Sequence, residues 1–168
     1  MNKLKIFLVF LVLFISVSAV SADGNFTSLQ TDIANSENSI DITQDYTYDE
    51  GADTDIDSGI IVNKTNFVIN GNGHTLNGNN QTRIFHIIGE NVTINNLKLI
   101  YGNGNIGGSI VCDGVSLINN CTFSNNFASV DGGAIVFRKN GNVINSMFTD
   151  NYSPDSAAIG VYEFWILN

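Results

Sequence analysis

The sequence predicts an all-β fold: a right-handed, single-stranded parallel β-helix of about four to five coils behind a short N-terminal capping helix. Three observations predict it: a repeat of about 24–25 residues beginning near residue 60, short runs of alternating apolar residues, and 25 asparagines with 16 glycines. Asn and Gly are the residues best suited to tight turns between short strands. Because hydrophobic residues make up 43% of the chain and charged ones 14%, a packed core is expected.

The N-terminal segment 1–22 has the layout of a secretory signal peptide. Lys3 and Lys5 precede an unbroken apolar run at 6–15, and Val20 and Ala22 fit a cleavage site before Asp23. A membrane span needs about 20 apolar residues, so the run is short for one. We expect an exported product, extracellular or on the cell surface, without a membrane span in the mature chain. An uncleaved N-terminal anchor is the alternative.

The charge of the chain bears on its partners. Cleavage removes two lysines and no acid, which leaves 5 basic and 16 acidic residues and takes the formal charge from −9 to −11. Nucleic acid is therefore not an expected partner, because phosphates require clusters of Lys and Arg. No cofactor is expected either.

Residues 23–58 form an acidic N-terminal segment. They hold ten of the sixteen acids and no Lys or Arg. Phe26, Leu29 and Ile33 have helical spacing, which predicts a short helix that covers the first coil. Apolar residues that alternate with polar ones then predict a strand: Ile40, Ile42, Tyr46 and Tyr48.

Asp53, Asp55 and Asp57 alternate as the carboxylates of a calcium loop do. The match is weak, because Ser58 occupies the position of the required glycine and Lys64 that of the distal glutamate. A solvated acidic turn is the favoured interpretation, and a calcium site the alternative.

From residue 59 to 168 the chain is predicted to be β-helix repeats. Several unrelated features share one period, which makes chance a poor explanation. GGSI at 107–110 returns as GGAI at 132–135 and as SAAI at 156–159, while Phe123 and Asn126 return one period later as Phe148 and Asn151. Each repeat contains two or three alternating apolar runs, so each predicts a coil of short strands stacked in parallel. A leucine-rich repeat has a similar period, but would need a helical segment where GGAIVF reads as strand.

Two kinds of corner separate the predicted strands. Asn tolerates the left-handed backbone, and asparagines at one phase of successive coils would form a hydrogen-bonded amide ladder. The residues with this predicted role are Asn95, Asn96, Asn119, Asn120 and Asn145. The pairs Gly107-Gly108 and Gly132-Gly133 predict a second corner, where backbones crowd or φ is positive.

FSNN at Phe123–Asn126 followed by GGAI, and FTDN at Phe148–Asn151 followed by SAAI, resemble the FxxN and GGA[I/L/V] repeats of chlamydial polymorphic outer-membrane proteins. With GIIVNKTNFVINGNGHTLNG at Gly59–Gly78, the chain most closely resembles adhesin-like surface proteins of methanogenic archaea, over roughly residues 25–159. The resemblance implies an exported, non-catalytic attachment protein whose partner is a glycan or protein on a host or neighbouring cell. The chain departs from it in its short length and in the missing final glycine pair.

Polysaccharide lyases and hydrolases with the pectin lyase fold, or a carbohydrate-binding β-helix, are the alternative. Such enzymes gather carboxylates on adjacent coils. A shift by one period places no acid on an acid, since Asp131, Asp150 and Asp155 fall on apolar or amide residues. His74 and His86 read as isolated side chains in solvent or core roles. No catalytic or metal-binding residue is therefore predicted.

Asp113 lies one period before Arg138, which predicts a charge ladder that Glu163 would extend if the last repeat kept the same length.

Cys112 and Cys121 fall at apolar phases, so buried, unpaired core cysteines are predicted, although an exported protein permits a disulfide. N-glycosylation sequons begin at Asn25, Asn63, Asn80, Asn91, Asn120 and Asn151.

The chain ends in GVYEFWILN, where apolar residues close the last coil with no polar cap. Solenoids need capping repeats to stay soluble. We therefore expect an uncapped C-terminal coil that self-associates through residues 160–168, in a chain that is a truncated product of a longer surface protein.

Overall fold

The computed structural model describes residues 24–162, which form one α-helix and 17 short β-strands. The predicted signal peptide and residues 163–168 lie outside the described residues. All strand pairs are parallel and are arranged as three five-stranded sheets and one two-stranded sheet. This is a parallel β-solenoid, which confirms the predicted fold class. The right hand predicted for the coil stays a prediction.

Strands are numbered in chain order, and each coil contributes one strand to each of three sheets. Sheet 1 contains β1 (Ser39–Asp41), β4 (Val68–Asn70), β7 (Val92–Asn95), β11 (Ser116–Asn119) and β15 (Gly141–Ile144). Sheet 2 contains β2 (Tyr46–Thr47), β5 (Thr75–Asn77), β8 (Lys98–Ile100), β12 (Thr122–Ser124) and β16 (Met147–Thr149). Sheet 3 contains β3 (Ile60–Val62), β6 (Phe85–Ile87), β10 (Ile110–Cys112), β14 (Ile135–Phe137) and β17 (Ile159–Val161). Sheet 4 contains β9 (Asn103–Ile106) and β13 (Phe127–Asp131).

The pairing register confirms the repeat read from the sequence. Ile110 pairs with Ile135, and Ile135 pairs with Ile159 after a spacing that is shorter by one position. The stretch GGAIVF ends in strand β14, so the leucine-rich alternative is wrong. With Phe137 opposite Val161, the Tyr162 N–H donates to the Phe137 carbonyl oxygen. The position one coil after Arg138 is therefore residue 162, and not Glu163 as the longer spacing would give.

The interior of the solenoid is built from columns of apolar side chains. Every second residue of a strand faces inward, so residues one period apart stack upon one another. In sheet 2 the column ends with Phe123 and Phe148, whose rings stack 4.8 Å apart and within 5° of parallel. One column per sheet illustrates the pattern: Ile69, Ile94 and Ile118; Leu76, Leu99 and Phe123; Phe85, Ile110 and Ile135.

Helix α1 (Phe26–Asn35) covers the first coil, as predicted. Phe26, Leu29 and Ile33 are buried in the common core. The Gln30 side chain pairs with the open edge of β3: its amide donates to the Ile61 carbonyl oxygen at 3.0 Å and accepts from the Ile61 N–H at 2.7 Å. A strand edge that would otherwise be free is thus partly closed by a side chain.

The solenoid begins earlier than the predicted boundary at residue 59. Strands β1 and β2, inside the segment expected to form only a cap, pair in parallel with β4 and β5. Together with β3 they make the first coil. No helix among residues 24–162 is both long and apolar enough to cross a membrane.

The predicted asparagine ladder is present along sheet 1. Each side-chain amide donates to the oxygen of the residue one coil earlier, at 2.9–3.4 Å. The series runs through Asn145, Asn119, Asn95 and Asn70 and ends on the carboxylate of Asp41. Aligned amide dipoles reinforce one another, and a carboxylate at the donating end is a favourable terminus. The residues directly after β7, β11 and β15 adopt the left-handed backbone, with φ of 52–54°: Asn96, Asn120 and Asn145.

The glycine pairs form the second corner, and their two members have different roles. Gly107 and Gly132 have φ of 55° and 60°, a conformation that glycine adopts without strain. Gly108 and Gly133 are held by crowding: a Cβ atom at Gly108 would lie 2.3 Å from the Gly133 carbonyl oxygen. At Gly133 it would lie 2.2 Å from the carbonyl oxygen of Ala157, the corresponding residue of the fifth coil.

The FxxN motif couples a core ring to a buried amide. Asn126 is 1% exposed, and its side chain accepts from the Gly102 N–H at 2.8 Å and donates to the Leu99 carbonyl oxygen at 3.1 Å. Asn151 repeats the second contact by donating to the Phe123 carbonyl oxygen at 3.0 Å. The motif thus satisfies buried backbone groups at this turn.

Candidate functional site

Asp53 is a buried structural residue, so the predicted solvated turn is wrong for this residue. It is 0% exposed. Its carboxylate accepts from the N–H groups of Phe26 at 3.1 Å, Thr27 at 2.7 Å and Asp49 at 2.8 Å. Two of these belong to the first turn of α1, where backbone donors are unpaired and a negative charge is favoured. Asp53 therefore ties the acidic turn to the helix.

The alternating aspartates do not converge on a common point. Asp55 and Asp57 are exposed, whereas Asp53 faces the helix. Within residues 24–162, no group of three His, Cys, Asp or Glu side chains is placed to hold a metal ion. The Asp53 carboxylate is engaged with the helix, so it does not join Asp55 and Asp57 as the third calcium ligand of the alternative interpretation.

The predicted ion pair between Asp113 and Arg138 is present on the outer side of sheet 3. Arg138 Nη1 lies 3.1 Å from Asp113 Oδ1, and His86 Nε2 lies 2.7 Å from Asp113 Oδ2. His86 is therefore not isolated, contrary to the sequence prediction. Partial burial alone would raise the Asp113 pKa, but the hydrogen bonds from His86 and Arg138 outweigh it and lower that pKa.

Arg83 adjoins this cluster and was not predicted from the sequence. Its guanidinium donates to three backbone carbonyl oxygens, those of Gly107, Ile106 and Ser58, at 2.9–3.1 Å. Burial, with a further contribution from Arg138, lowers the pKa of Arg83, and Asp113 opposes that shift. Arg83 thereby joins the end of β9 to the turn that precedes β3.

Two further acids are paired in a similar way. Asp45 accepts from the Thr75 N–H and lies 3.0 Å from His74 Nδ1, and these contacts lower the Asp45 pKa. His74 is therefore not isolated either. Glu90 bonds the Lys139 ammonium and accepts from the Val115 N–H at 2.9 Å.

Acidification should weaken the solenoid through Asp113. Its pKa is lower in the folded chain than in the unfolded chain, where it is about 3.9. The stabilisation is therefore present above that value and lost as pH falls through the folded pKa. We expect Asp113→Asn to lower the thermal midpoint at neutral pH, and the difference from the wild type to shrink between about pH 5 and pH 2. Thermal unfolding by circular dichroism across that range measures it. Asp55→Asn, at an exposed acid, is the control, and a constant difference for Asp113→Asn would contradict the assignment.

Both cysteines are buried free thiols, as predicted. Cys112 lies in the same column as Phe137, and burial raises the pKa of the Cys112 thiol to about 12. Burial also raises the pKa of Cys121, whose Sγ contacts the carbonyl oxygens of Ile94 and Asn119. At neutral pH both are neutral core side chains.

The six sequons differ in whether the side-chain nitrogen is engaged. Glycosylation modifies that nitrogen, which serves as a hydrogen-bond donor in Asn91, Asn120 and Asn151. The side-chain oxygen of Asn25 caps α1 by accepting from the Ser28 N–H. Asn63 and Asn80 are exposed on the surface of the described chain. These two are the sequons that fit a glycan with least structural cost.

Two exposed aromatic side chains stack at the edge of the short sheet 4. Phe127 is 40% exposed, and Tyr152, bridged to it in the next coil, is 58% exposed. Their rings stack 5.7 Å apart, within 12° of parallel. Asn103 pairs with Phe127 on the other side, and the Ser129 hydroxyl lies 3.4 Å from the Asn105 side-chain oxygen. We call the surface made by these five residues the amide–aromatic face.

A register irregularity in β13 exposes more of this surface. Ala128 pairs with Gly104 and Asp131 with Ile106, so two residues oppose the single Asn105. Such a bulge turns an additional side chain outward. Val130 is 54% exposed as a result, beside the buried Asp131.

The fifth coil is less completely covered than the coils before it. Val143, Phe148 and Ile159 face the core but are only partly buried, and Met147 and Val161 are 60% and 67% exposed. Whether the coil is capped depends on residues outside those described, so the predicted self-association stays a prediction.

Comparison of the chain with protein-family models found no match, and comparisons with curated proteins and with solved structures likewise found none.

Proposed function

We propose that this chain is an exported, cell-surface adhesin-like module: a rigid β-solenoid that binds a surface partner without catalysis. The amide–aromatic face carries the proposal. It holds two large rings and several uncharged polar side chains exposed to solvent, on strands that are fixed by the repeat below them. Exposed aromatic groups on a rigid scaffold are typical of recognition surfaces.

The environment of the acidic side chains also favours binding over catalysis. Asp53 caps a helix, Asp113 is held between His86 and Arg138, and Glu90 is paired with Lys139. A general acid requires a raised pKa close to the working pH. The contacts of Asp113 and Glu90 instead lower the pKa of each.

The proposal is tested by following the chain in the cells that produce it. We expect the N-terminus of the isolated protein to begin at Asp23, the protein to be cleaved by protease added to intact cells, and the purified chain to sediment with cell envelopes. An intact Met1 inside the cell, or no association with any envelope preparation, would count against it.

One cluster favours the enzymatic alternative enough to be tested. Asp113 and Arg138 are partly exposed and line a surface hollow of about 1110 Å³, and His86 contacts Asp113 beside it. We expect no release of reducing ends or unsaturated products from a panel of polysaccharides by the wild-type chain. Turnover that Asp113→Asn abolishes, with the fold intact by circular dichroism, would replace the adhesin proposal with a lyase or hydrolase.

A further inference from the structure

We propose that the amide–aromatic face binds an uncharged polysaccharide that lies along the solenoid axis. This inference rests on the proposed function and names the class of its ligand. It is argued from three properties of the face: fixed aromatic rings, uncharged hydrogen-bonding groups, and strands β9 and β13 that contain no Lys or Arg.

The two rings are held in place before any ligand arrives. Phe127 and Tyr152 stack on one another, and their backbones are bridged by parallel pairing between coils. Ordering a free side chain on binding costs free energy, and a ring that is already fixed avoids much of that cost. The exposed parts of the two rings provide apolar contact area for the C–H groups of a sugar.

Amide and hydroxyl groups surround the rings. The Asn103 side chain is half-buried and is anchored by donating from its amide nitrogen to the Asn80 carbonyl oxygen at 2.8 Å, and its side-chain oxygen is a hydrogen-bond acceptor. Asn105 is exposed, and its side-chain oxygen receives the Ser129 hydroxyl, so its amide hydrogens are available as donors. A few placed donors and acceptors beside apolar surface are what fixes the orientation of a sugar hydroxyl group.

The charge of the chain decides between classes of glycan. The one acid of strands β9 and β13, Asp131, is buried, with Oδ1 accepting from the Gly132 N–H at 2.7 Å. The whole chain has a formal charge of −9. A uronic-acid polymer or a sulfated glycan would be repelled without gaining an ion pair from these strands. An uncharged polymer suffers no such penalty.

The geometry of the face suits an extended polymer. Asn103, Phe127 and Tyr152 are contributed by three successive coils, and parallel strands repeat about every 4.8 Å. A linear polysaccharide aligned with the axis would therefore meet one row of side chains per coil. The bulge at Ser129 and Val130 forms one border of this surface.

Affinity electrophoresis and titration calorimetry test the inference with the full chain. The ligands are soluble uncharged polysaccharides (β-glucan, mannan and xylan), with polygalacturonate and alginate as charged comparators. We expect retardation by at least one uncharged polymer and by neither charged one. The double variant Phe127→Ala/Tyr152→Ala should weaken binding by about tenfold or more. Tyr152→Phe, which keeps the ring, should bind like the wild type.

The matched control is Val115→Ala. Val115 is 41% exposed, close to the 40% of Phe127, but lies between β10 and β11 away from sheet 4. Thermal unfolding followed by circular dichroism checks that each variant is folded at the temperature of the binding assay. Retardation by no uncharged polymer, stronger binding to a charged one, or equal losses in Val115→Ala and the double variant would overturn the inference.

The outcome is separable from that of the proposed function. If the chain sediments with cell envelopes but does not bind uncharged polysaccharides, the adhesin proposal stands and an uncharged polysaccharide is excluded as its ligand. If treating the envelopes with protease then removed the sedimentation, the partner would be a protein. Failure to sediment with any envelope would end the proposed function as well.

Discussion

Gly108→Ala is expected to destabilise the solenoid by about 3 kcal/mol or more, because the new methyl group would overlap backbone on two sides. A Cβ atom there would lie 2.3 Å from the Gly133 carbonyl oxygen and 2.4 Å from that of Phe127. Both oxygens belong to the backbone, which cannot move aside as the end of a flexible side chain can. Urea unfolding followed by far-ultraviolet circular dichroism measures the loss.

The control for this substitution is Gly51→Ala. The nearest atom to a Cβ at Gly51 is a carboxylate oxygen of Asp49 at 3.3 Å, on an exposed side chain that can move. We expect that variant to unfold within about 0.5 kcal/mol of the wild type. Similar free energies of unfolding for the two variants would show that crowding at the glycine corner is not what holds the coil spacing.

Asn126→Ala is expected to cost about 3 kcal/mol, because it leaves buried backbone groups without partners. The Gly102 N–H loses its acceptor and the Leu99 carbonyl oxygen loses its donor, while the Asn151 side-chain oxygen loses one of its two contacts. Since these groups are inside the turn, water cannot replace the amide without opening the coil.

The same unfolding experiment on Asn142→Ala provides the comparison. Asn142 lies exposed on β15. Its substitution removes no buried contact and should change the free energy of unfolding by less than about 0.5 kcal/mol. If Asn126→Ala were equally mild, the FxxN motif would owe its recurrence to something other than the buried amide.

The repeat made most of the fold predictable. Residues one period apart occupy equivalent environments. The spacing between GGSI and GGAI in the sequence therefore gives the register in which β10 pairs with β14. The same logic predicted the amide ladder through Asn95 and Asn119 and the apolar phase of Cys112. The first coil escaped prediction because β1 to β3 are separated by acidic turns rather than by the later motifs.

Contacts that do not follow the period were missed. His86 reaches Asp113, which lies two positions beyond its register partner Val111. A shift by one period therefore compares His86 with a valine and hides the pair. Asp53 contacts α1 from a part of the chain that does not repeat, so only the structure could assign its carboxylate.

The amide–aromatic face carried a sequence signal that was not used. Phe127 and Tyr152 lie one period apart, so the repeat alone stacks two aromatic residues. The exposure of that stack was not readable, because the period alone does not say which side of β13 faces outward.

The glycine corner links each repeat to the one after it. At Gly108 and Gly133 the missing side chain makes room for the carbonyl oxygen of the following coil. A side chain introduced at either position would therefore press on the next coil rather than on its own. The strain of a single substitution would be shared between two neighbouring repeats.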